Sequence, residues 1–386
     1  MLSCHLVPVP WFLVRVAIVA ECFLPEVNGV TNSVLRVVEH LERRGHQAVV
    51  IAPGCGPGHY RSTPVERVPA CRLPLYKTMS VGLPTGQVSN LLTAFEPDVV
   101  HLAAPAILGA AAARAARLLG LPTVAVYQTD LAGFARRYGC SVAAPVLWQW
   151  LRWVHNQADV TLAPSTPAMW ELRQHGIGPV ARWARGVDLD RWHPHHRSAL
   201  LRRRLAPGGE VLVGYVGRLA KEKQIHLLRH LQHLPGARLV VVGDGPARGL
   251  LQRQLRGVKF LGFQGGAELS QTVASLDVFV HTGADETFCQ SIQEALASGV
   301  PVVAPGSGGP LDLVRHSENG WLYPVTKPRL MRGAVETLVR DVGLRRVMGE
   351  RARRSVEGRT WETLGDELLE VYAQLTGVEE RSRWVA

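Results

Sequence analysis

The sequence predicts an α/β protein made of two Rossmann-like domains facing a cleft, and three observations carry that reading. Short apolar, β-branched runs alternate with helical stretches along the whole chain. The alternation restarts after a polar stretch at Trp192-His193-Pro194-His195-His196. A chain of 386 residues is also longer than one hydrophobic core usually supports.

Taken in order, residues 1–14 read as an N-terminal extension. Pro8 and Pro10 interrupt its apolar character and no basic segment opens it, which argues against a signal peptide or a membrane span. Val16 to Ala20 is the first core strand, followed by a helix near Ser33 to Arg44 and a strand from Ala48 to Ala52. A strand at Val99-Val100, an Ala- and Arg-rich helix from Ile107 to Leu119 and a strand from Thr123 to Tyr127 continue the pattern. In the second half, strands are expected at Val211 to Val216, Arg238 to Val242, Lys259 to Leu261, Val278 to Val280 and Pro301 to Ala304. Trp361 to Leu375 is an amphipathic helix. The expected division is 1–14, 15–190, 191–360 and 361–386, with a hinge near 185–197.

An apolar share of 47% beside 19% charged residues marks a globular chain. The net charge of +11 attracts anions, whether nucleotides, nucleic acid or an acidic membrane surface. Only 6% aromatic residues, with no basic stripe or recognition helix, set nucleic acid aside. The cysteines lack CxxC spacing, which fits a reducing cytosol and no zinc ribbon. His193, His195 and His196 have no Cys or carboxylate partners at ligand spacing and read as a linker, and Asp188-Leu189-Asp190 reads as a turn. No metal and no cofactor are expected.

Chemistry-bearing motifs fall where strands hand over to helices, the places where open α/β sheets bind ligands. Phe23 to Thr31 holds Gly29, whose backbone lets a phosphate approach. Gly217-Arg218-Leu219-Ala220-Lys221-Glu222-Lys223 ends a strand in glycine and delivers cations suited to a diphosphate; its bland alternative is a solvated helix start. Val242-Gly243-Asp244-Gly245 imitates a dinucleotide loop, but the spacing is GxGxxxG and no acidic residue follows at the right distance, so nicotinamide binding ranks second. Ala304 to Asp312 is a glycine-rich junction whose amides suit a phosphate or a sugar hydroxyl, and no GxxxxGK[ST] loop occurs.

The most informative stretch is Asp285-Glu286-Thr287-Phe288-Cys289-Gln290-Ser291-Ile292-Gln293-Glu294. If both glutamates lie on one helix, they stand about 12 Å apart along its axis and about 80° around it. A glycosidase pair needs roughly 5 to 9.5 Å, so this spacing suits an elongated ligand better, unless Glu286 sits in a loop that folds back. Two solvated helix carboxylates are the plain alternative.

Together, Pro25…Gly29-Val30, Arg185-Gly186-Val187-Asp188, Gly217-Arg218…Lys223, Gly243-Asp244-Gly245-Pro246, Glu286-x7-Glu294 and Gly308-Gly309 resemble the large group 1 family of retaining GT-B glycosyltransferases, over about residues 15 to 375. Tyr127-Gln128-Thr129-Asp130, Trp150 to His155 and Gly308 to Val314 resemble, more narrowly, actinobacterial GDP-mannose-dependent α-mannosyltransferases acting on glycolipids. The resemblance implies that Glu286 binds donor-sugar hydroxyls, Glu294 the ribose, and Arg218, Lys223 and the Gly29 amide the diphosphate, with Gly243, Phe288 and Cys289 completing the donor site. It implies catalysis through Glu286, Arg218, Lys223 and Asp130, and acceptor binding through Tyr127, Gln128 and Asp130. Gln128 stands where the family often has His, and Cys289 where it usually has Gly.

The implied reaction moves mannose from GDP-mannose to a lipid-linked sugar, of the glycosylated diacylglycerol or phosphatidylinositol mannoside type, with retention. The implied location is cytoplasmic, peripheral on the inner face of the plasma membrane. Arg114, Arg117, Arg136, Arg137, Trp148, Trp150 and Trp153 are the candidates for touching an anionic surface. A UDP-hexose donor and a non-catalytic nucleotide-sugar-binding protein are the competing readings.

Overall fold

The computed structural model describes residues 13–26, 28–73, 76–83, 86–133 and 141–377. In the first half the strands are β1 (Arg15–Ala20), β2 (Gln47–Pro53), β3 (His59–Tyr60), β4 (Thr63–Val68), β5 (Ala70–Leu73), β6 (Tyr76–Gly82), β7 (Val99–Ala103), β8 (Thr123–Val126), β9 (Val160–Ala163) and β10 (Val180–Arg182). They form a sheet ordered β10-β9-β8-β7-β1-β2-β4-β3, parallel except for the β3 edge, and a separate β5-β6 hairpin. In the second half, β11 (Val211–Val216), β12 (Ala237–Val242), β13 (Lys259–Gly262), β14 (Val278–Val280), β15 (Val302–Pro305) and β16 (Gly320–Tyr323) form an all-parallel sheet ordered β13-β12-β11-β14-β15-β16.

Helices cover both faces of each sheet, so central strands must be apolar on both sides. Val16, Ala17, Ile18, Val19 and Ala20 are all buried, the odd and even positions feeding different cores. Both domains of the expected two-domain α/β fold are present. The expected strands appear within a residue or so, except that β7 runs on to Ala103. Strands β4, β9, β10 and β16 escape sequence reading because they are short or, like Thr63-Pro64-Val65-Glu66, interrupted by Pro and charge.

The chain passes between the domains at two adjacent points. Val187 N donates to Arg359 O at 2.8 Å, and a Cβ on Gly186 would meet Trp361 N at 2.5 Å, so only glycine lets the two crossings touch. Helix Trp361–Thr376 then packs on the first domain. Leu364, Leu368, Leu369 and Tyr372 join the core around β1 and helix Gly29–Arg43. Tyr372 Oη lies 2.7 Å from His101 Nδ1, and Asp366 pairs with Arg44 at 2.6 Å. Among the described residues no helix is long and apolar enough to cross a membrane.

Candidate active site in the interdomain cleft

In both sheets the strand order reverses beside the first strand, between β1 and β7 and between β11 and β14. Ligands of such sheets bind outside the carboxyl ends of the strands at that point. In the second domain the loops leaving β11, β12 and β14 carry Gly217 to Lys223, Gly243 to Pro246 and His281 to Cys289. The glutamate motif differs from the single-helix expectation: the helix is Gln290–Ala297, so Glu294 lies on it while Glu286 belongs to the preceding loop. Residues 287–289 interpose a left-handed turn at Cys289, φ +81°, which stops the helix from extending back.

That folded-back loop makes Glu286 the centre of an ion cluster. Its Oε1 lies 2.6 Å from Lys223 Nζ and 3.0 Å from His281 Nε2. Burial would raise the carboxyl, but the Lys223 ammonium and the His281 imidazole outweigh it and hold Glu286 down at about 2. Burial would lower His281, yet the Cys289 sulfur and the Glu286 carboxylate push it up to about 9. Lys223 is likewise raised, Glu286 overcoming its burial. A Cβ on Gly283 would come within 3.0 Å of both Glu286 Oε1 and His281 Nε2, so the glycine keeps this cluster open. Lys223 is therefore a paired cation here, whereas Arg218 is exposed.

A His281 ring nitrogen, a Glu286 oxygen and Cys289 Sγ lie within 4.8 Å of one another, a grouping with metal-ligand chemistry. The Lys223 ammonium on the same carboxylate repels a divalent ion there. Glu294 has a different environment. Burial pushes its carboxyl up to about 8, with Arg191 only partly opposing, so at neutral pH it is an acid able to donate one hydrogen bond and accept another. Phe288 and Cys289 are buried in the second core.

Two glycine loops prove to be packing devices. A Cβ on Gly243 would sit 2.0 Å from Gly217 O, and the Gly243 amide donates to Gly262 O at 2.7 Å, so Gly243 contributes close loop packing and its amide is committed within the protein. Gly309 N donates to Glu286 O at 2.7 Å, and a Cβ on Gly309 would strike Phe288 O at 2.1 Å. The 304–312 junction thus braces the Glu286 loop; its Gly309 amide is not free for a phosphate.

On the facing domain, Asn28 caps helix Gly29–Arg43 through Val30 and Thr31, and the Gly29 carbonyl accepts from Arg185 Nη1 at 3.1 Å. Arg185 Nη2 donates to Gln128 Oε1 at 2.5 Å, and burial lowers the guanidinium to about 10. The Arg185 carbonyl in turn accepts from Gln293 Nε2 at 2.9 Å, one residue before Glu294. Asp130 Oδ1 accepts the Gly133 amide at 2.7 Å, the geometry of a turn cap. Tyr127 departs from the acceptor-binding expectation: it is 2% exposed and stacks on Trp148 in the core. A ring at the end of β8 with an apolar pocket beneath it turns inward.

The two walls touch. Ser165 Oγ donates to Thr287 O at 2.7 Å, Thr287 Oγ1 to Gln128 O at 3.2 Å, and Thr166 N to Asp312 Oδ2 at 2.7 Å, with Arg182 3.6 Å from the same carboxylate. Sequence reasoning missed Ser165, Thr287 and His281. For His281 a signal existed, a polar residue directly after the apolar run Val278–Val280 at a switch-point strand. Glu21, the equivalent residue after β1, was also missed; it accepts from Ala106, Leu108 and Gly109 and so anchors helix Leu108–Leu118.

Asp188 caps its own turn through Arg191 N, as a turn reading expects, and Pro194–His196 form a 3-10 turn capped by His193, with His195 exposed and His193 and His196 half-buried. Of the surface candidates, Trp148 is buried, Trp150 and Trp153 are exposed and stacked at 5.0 Å, and Arg114 and Arg117 are exposed. Arg136 and Arg137 lie outside the described residues.

Known proteins share this fold. Residues 27–191 match the Glycosyltransferase Family 4 description and residues 197–355 the Glycosyl transferases group 1 description. A GDP-mannose-dependent alpha-mannosyltransferase of Mycobacterium tuberculosis is 50% identical over 94% of this chain and 97% of its own length. A protein of the same name from Corynebacterium glutamicum is 47% identical over 95% and 90%. The crystal structure of Anabaena HepE with UDP and glucose superposes with a TM-score of 0.74 at 22% identity, over 94% of this chain and all of that one. The fold is GT-B, and the chain belongs to the group 1 family of glycosyltransferases and is a hexosyltransferase.

Proposed function

We propose that this enzyme transfers mannose from GDP-mannose to the sugar of a lipid-linked acceptor, with retention at the anomeric carbon. The observation that carries the reading is the Lys223–Glu286–His281 cluster at the β11/β14 switch point, with Arg218 exposed nearby and no side chain capping helix Gln290–Ala297. Departure of the nucleotide builds charge on a diphosphate, and two cations with a helix N-terminus oppose it without solvent reorganisation. Glu286, held ionised between its partners, is an acceptor for sugar hydroxyls. Glu294, held protonated, suits the paired hydroxyls of a ribose. The named relatives support GDP-mannose as donor.

These cations do the work assigned elsewhere to a divalent metal, so the reaction proceeds with chelator present. The acceptor's lipid is supported by the exposed Trp150, Trp153 and Val146 beside Arg114 and Arg117, a surface suited to peripheral contact with the cytoplasmic membrane face. The test is transfer of label from GDP-mannose, against UDP-glucose and UDP-galactose, to a membrane lipid extract in EDTA, with the product's anomeric configuration read by NMR. Transfer from GDP-mannose is expected, reduced at least about 100-fold in Glu286→Ala. Undiminished transfer by that variant, or preference for a UDP donor, sinks the proposal.

A further inference from the structure

Arg185 is a cation that the reaction described above does not use. It follows β10, and its half-buried side chain reaches the loops that leave β1 and β8. Nη1 donates to the Gly29 carbonyl at 3.1 Å and Nη2 to Gln128 Oε1 at 2.5 Å, both neutral acceptors. Among the described residues no carboxylate pairs with it, and burial is the one influence that shifts its pKa. These bonds use two of the five donors that a guanidinium carries.

Gln128 adds an independent observation. It is 8% exposed, and because a guanidinium only donates, Oε1 faces Arg185 and Nε2 is turned away from it. That buried amide has no partner among the described residues. A buried donor without an acceptor is costly, and so is a half-buried cation without an anion. A group that only accepts, seated beside both, satisfies the two together.

The surroundings favour a phosphate in that seat. Arg185 Nη1 lies 3.4 Å from where a Cβ on Gly29 would stand, at the start of helix Gly29–Arg43, and a helix N-terminus attracts an anion. The Gln128 carbonyl accepts from Thr287 Oγ1 at 3.2 Å and the Arg185 carbonyl from Gln293 Nε2 at 2.9 Å. Those bonds set the seat against the Glu286 loop and the helix that carries Glu294.

Charge decides its role. The Lys223–Glu286–His281 cluster holds two cations against one anion, and Arg218 adds another cation. That sum matches a sugar-linked diphosphate, which carries about two negative charges. In the transfer, the bond from the anomeric carbon to the β-phosphate oxygen breaks with its electron pair on that oxygen. The carbon bonds to the acceptor oxygen, and the acceptor's proton passes to water. The β-phosphate thereby gains about one further negative charge, and Arg185 is the cation placed to meet it.

We propose that Arg185, oriented by Gln128 and the Gly29 carbonyl, binds the β-phosphate of the nucleotide-sugar donor from the first domain and stabilises it as the leaving group. The proposal rests on the donor reading above and adds to it a contact from the opposite wall of the cleft.

Binding of GDP and GMP to full-length protein is measured by calorimetry, beside the kinetics of transfer from GDP-mannose to a membrane lipid extract. GMP lacks the β-phosphate, so its binding reports the fold and the rest of the nucleotide site. Arg185→Gln is expected to weaken GDP about tenfold while GMP stays within about twofold. It should also lower kcat at least about 100-fold, with a smaller change in KM for GDP-mannose. Arg185→Lys should recover part of kcat, since an ammonium cannot fork between Gln128 and a phosphate. Gln128→Ala, which keeps the cation and releases its orientation, should weaken GDP about threefold. If Arg185→Gln does not fold, the other two variants carry the same comparison. GDP and GMP weakened equally, or neither weakened, overturns the proposal and leaves Arg185 a strut between loops. A GDP-to-GMP ratio that stays constant while KM for the lipid acceptor rises also overturns it, because the seat then takes an acceptor group. A wild type that binds UDP more tightly than GDP removes the GDP-mannose reading alone, and UDP against UMP then decides for Arg185 in the same way.

Discussion

At the scale of single residues, two buried groups tie stability to pH with the same sign. His281 is raised from 6.5 to about 9, so its contribution is complete below pH 6.5 and is lost as the pH rises through about 9. Glu286, lowered from 4.5 to about 2, contributes fully above pH 4.5 and fails only as the pH falls through about 2. Glu294 is raised from 4.5 to about 8, so the unfolded chain releases its proton first and stability declines from pH 4.5 to 8. The denaturation midpoint should therefore fall steadily on the alkaline side. The His281 part corresponds to roughly 3 kcal/mol between pH 6.5 and 9. Urea titrations against pH are expected to lose the slope between pH 8 and 9 in His281→Gln and the slope between pH 4.5 and 6.5 in Glu294→Gln, with the shared slope between 6.5 and 8 reduced in each. A slope that survives its own substitution assigns the effect to other groups.

At the scale of elements, the start of helix Gln290–Ala297 shows how a backbone turn positions a carboxylate. Cys289 has φ +81°, where a β-carbon costs about 1 kcal/mol or more, and it is this turn that lets Glu286 fold back toward Lys223. Cys289→Ala and Cys289→Gly both remove the buried sulfur, but only glycine relieves the turn. The glycine variant should be the more stable of the two by about 1 kcal/mol, reversing the order usual inside helices. Equal stability would show that the turn carries no strain. The same segment shows what the sequence makes legible. The apolar runs around it, Val278-Phe279-Val280 and Pro301-Val302-Val303, announce strands because burial on both faces demands β-branched residues. The Glu286-x7-Glu294 pair and Lys223 were visible as types and spacings. The fold-back stood only as an alternative, because Gln290 to Glu294 continue a helical pattern and the one sign of a left-handed turn is that Cys289 stands where the family usually has Gly. Tyr127 lies in the core for a related reason: a polar tip in a cleft-end motif says nothing of whether a core pocket will claim the ring.

At the scale of the whole molecule, a small set of bonds holds the two walls of the cleft together, and Asp312 is its charged member. Its carboxylate takes the Thr166 amide at the N-terminus of helix Thr166–Gln174, where the helix dipole favours an anion, and lies near Arg182. Beside it Ser165 holds the Thr287 carbonyl, so the loop carrying Glu286 is tied to the opposite domain. Charge-assisted hydrogen bonds of this kind contribute about 1.5–3 kcal/mol each. Because water competes with the acceptor for an activated donor, opening the cleft should admit hydrolysis before it abolishes binding. Asp312→Ala is therefore expected to raise donor hydrolysis relative to transfer by about tenfold and to increase the radius of gyration in solution scattering. Asp312→Glu, which keeps the charge, should recover part of both. A variant whose hydrolysis ratio and scattering match the wild type would show that the Glu286 loop is positioned from within its own domain, by the Gly309 amide, the Lys223 ammonium and His281.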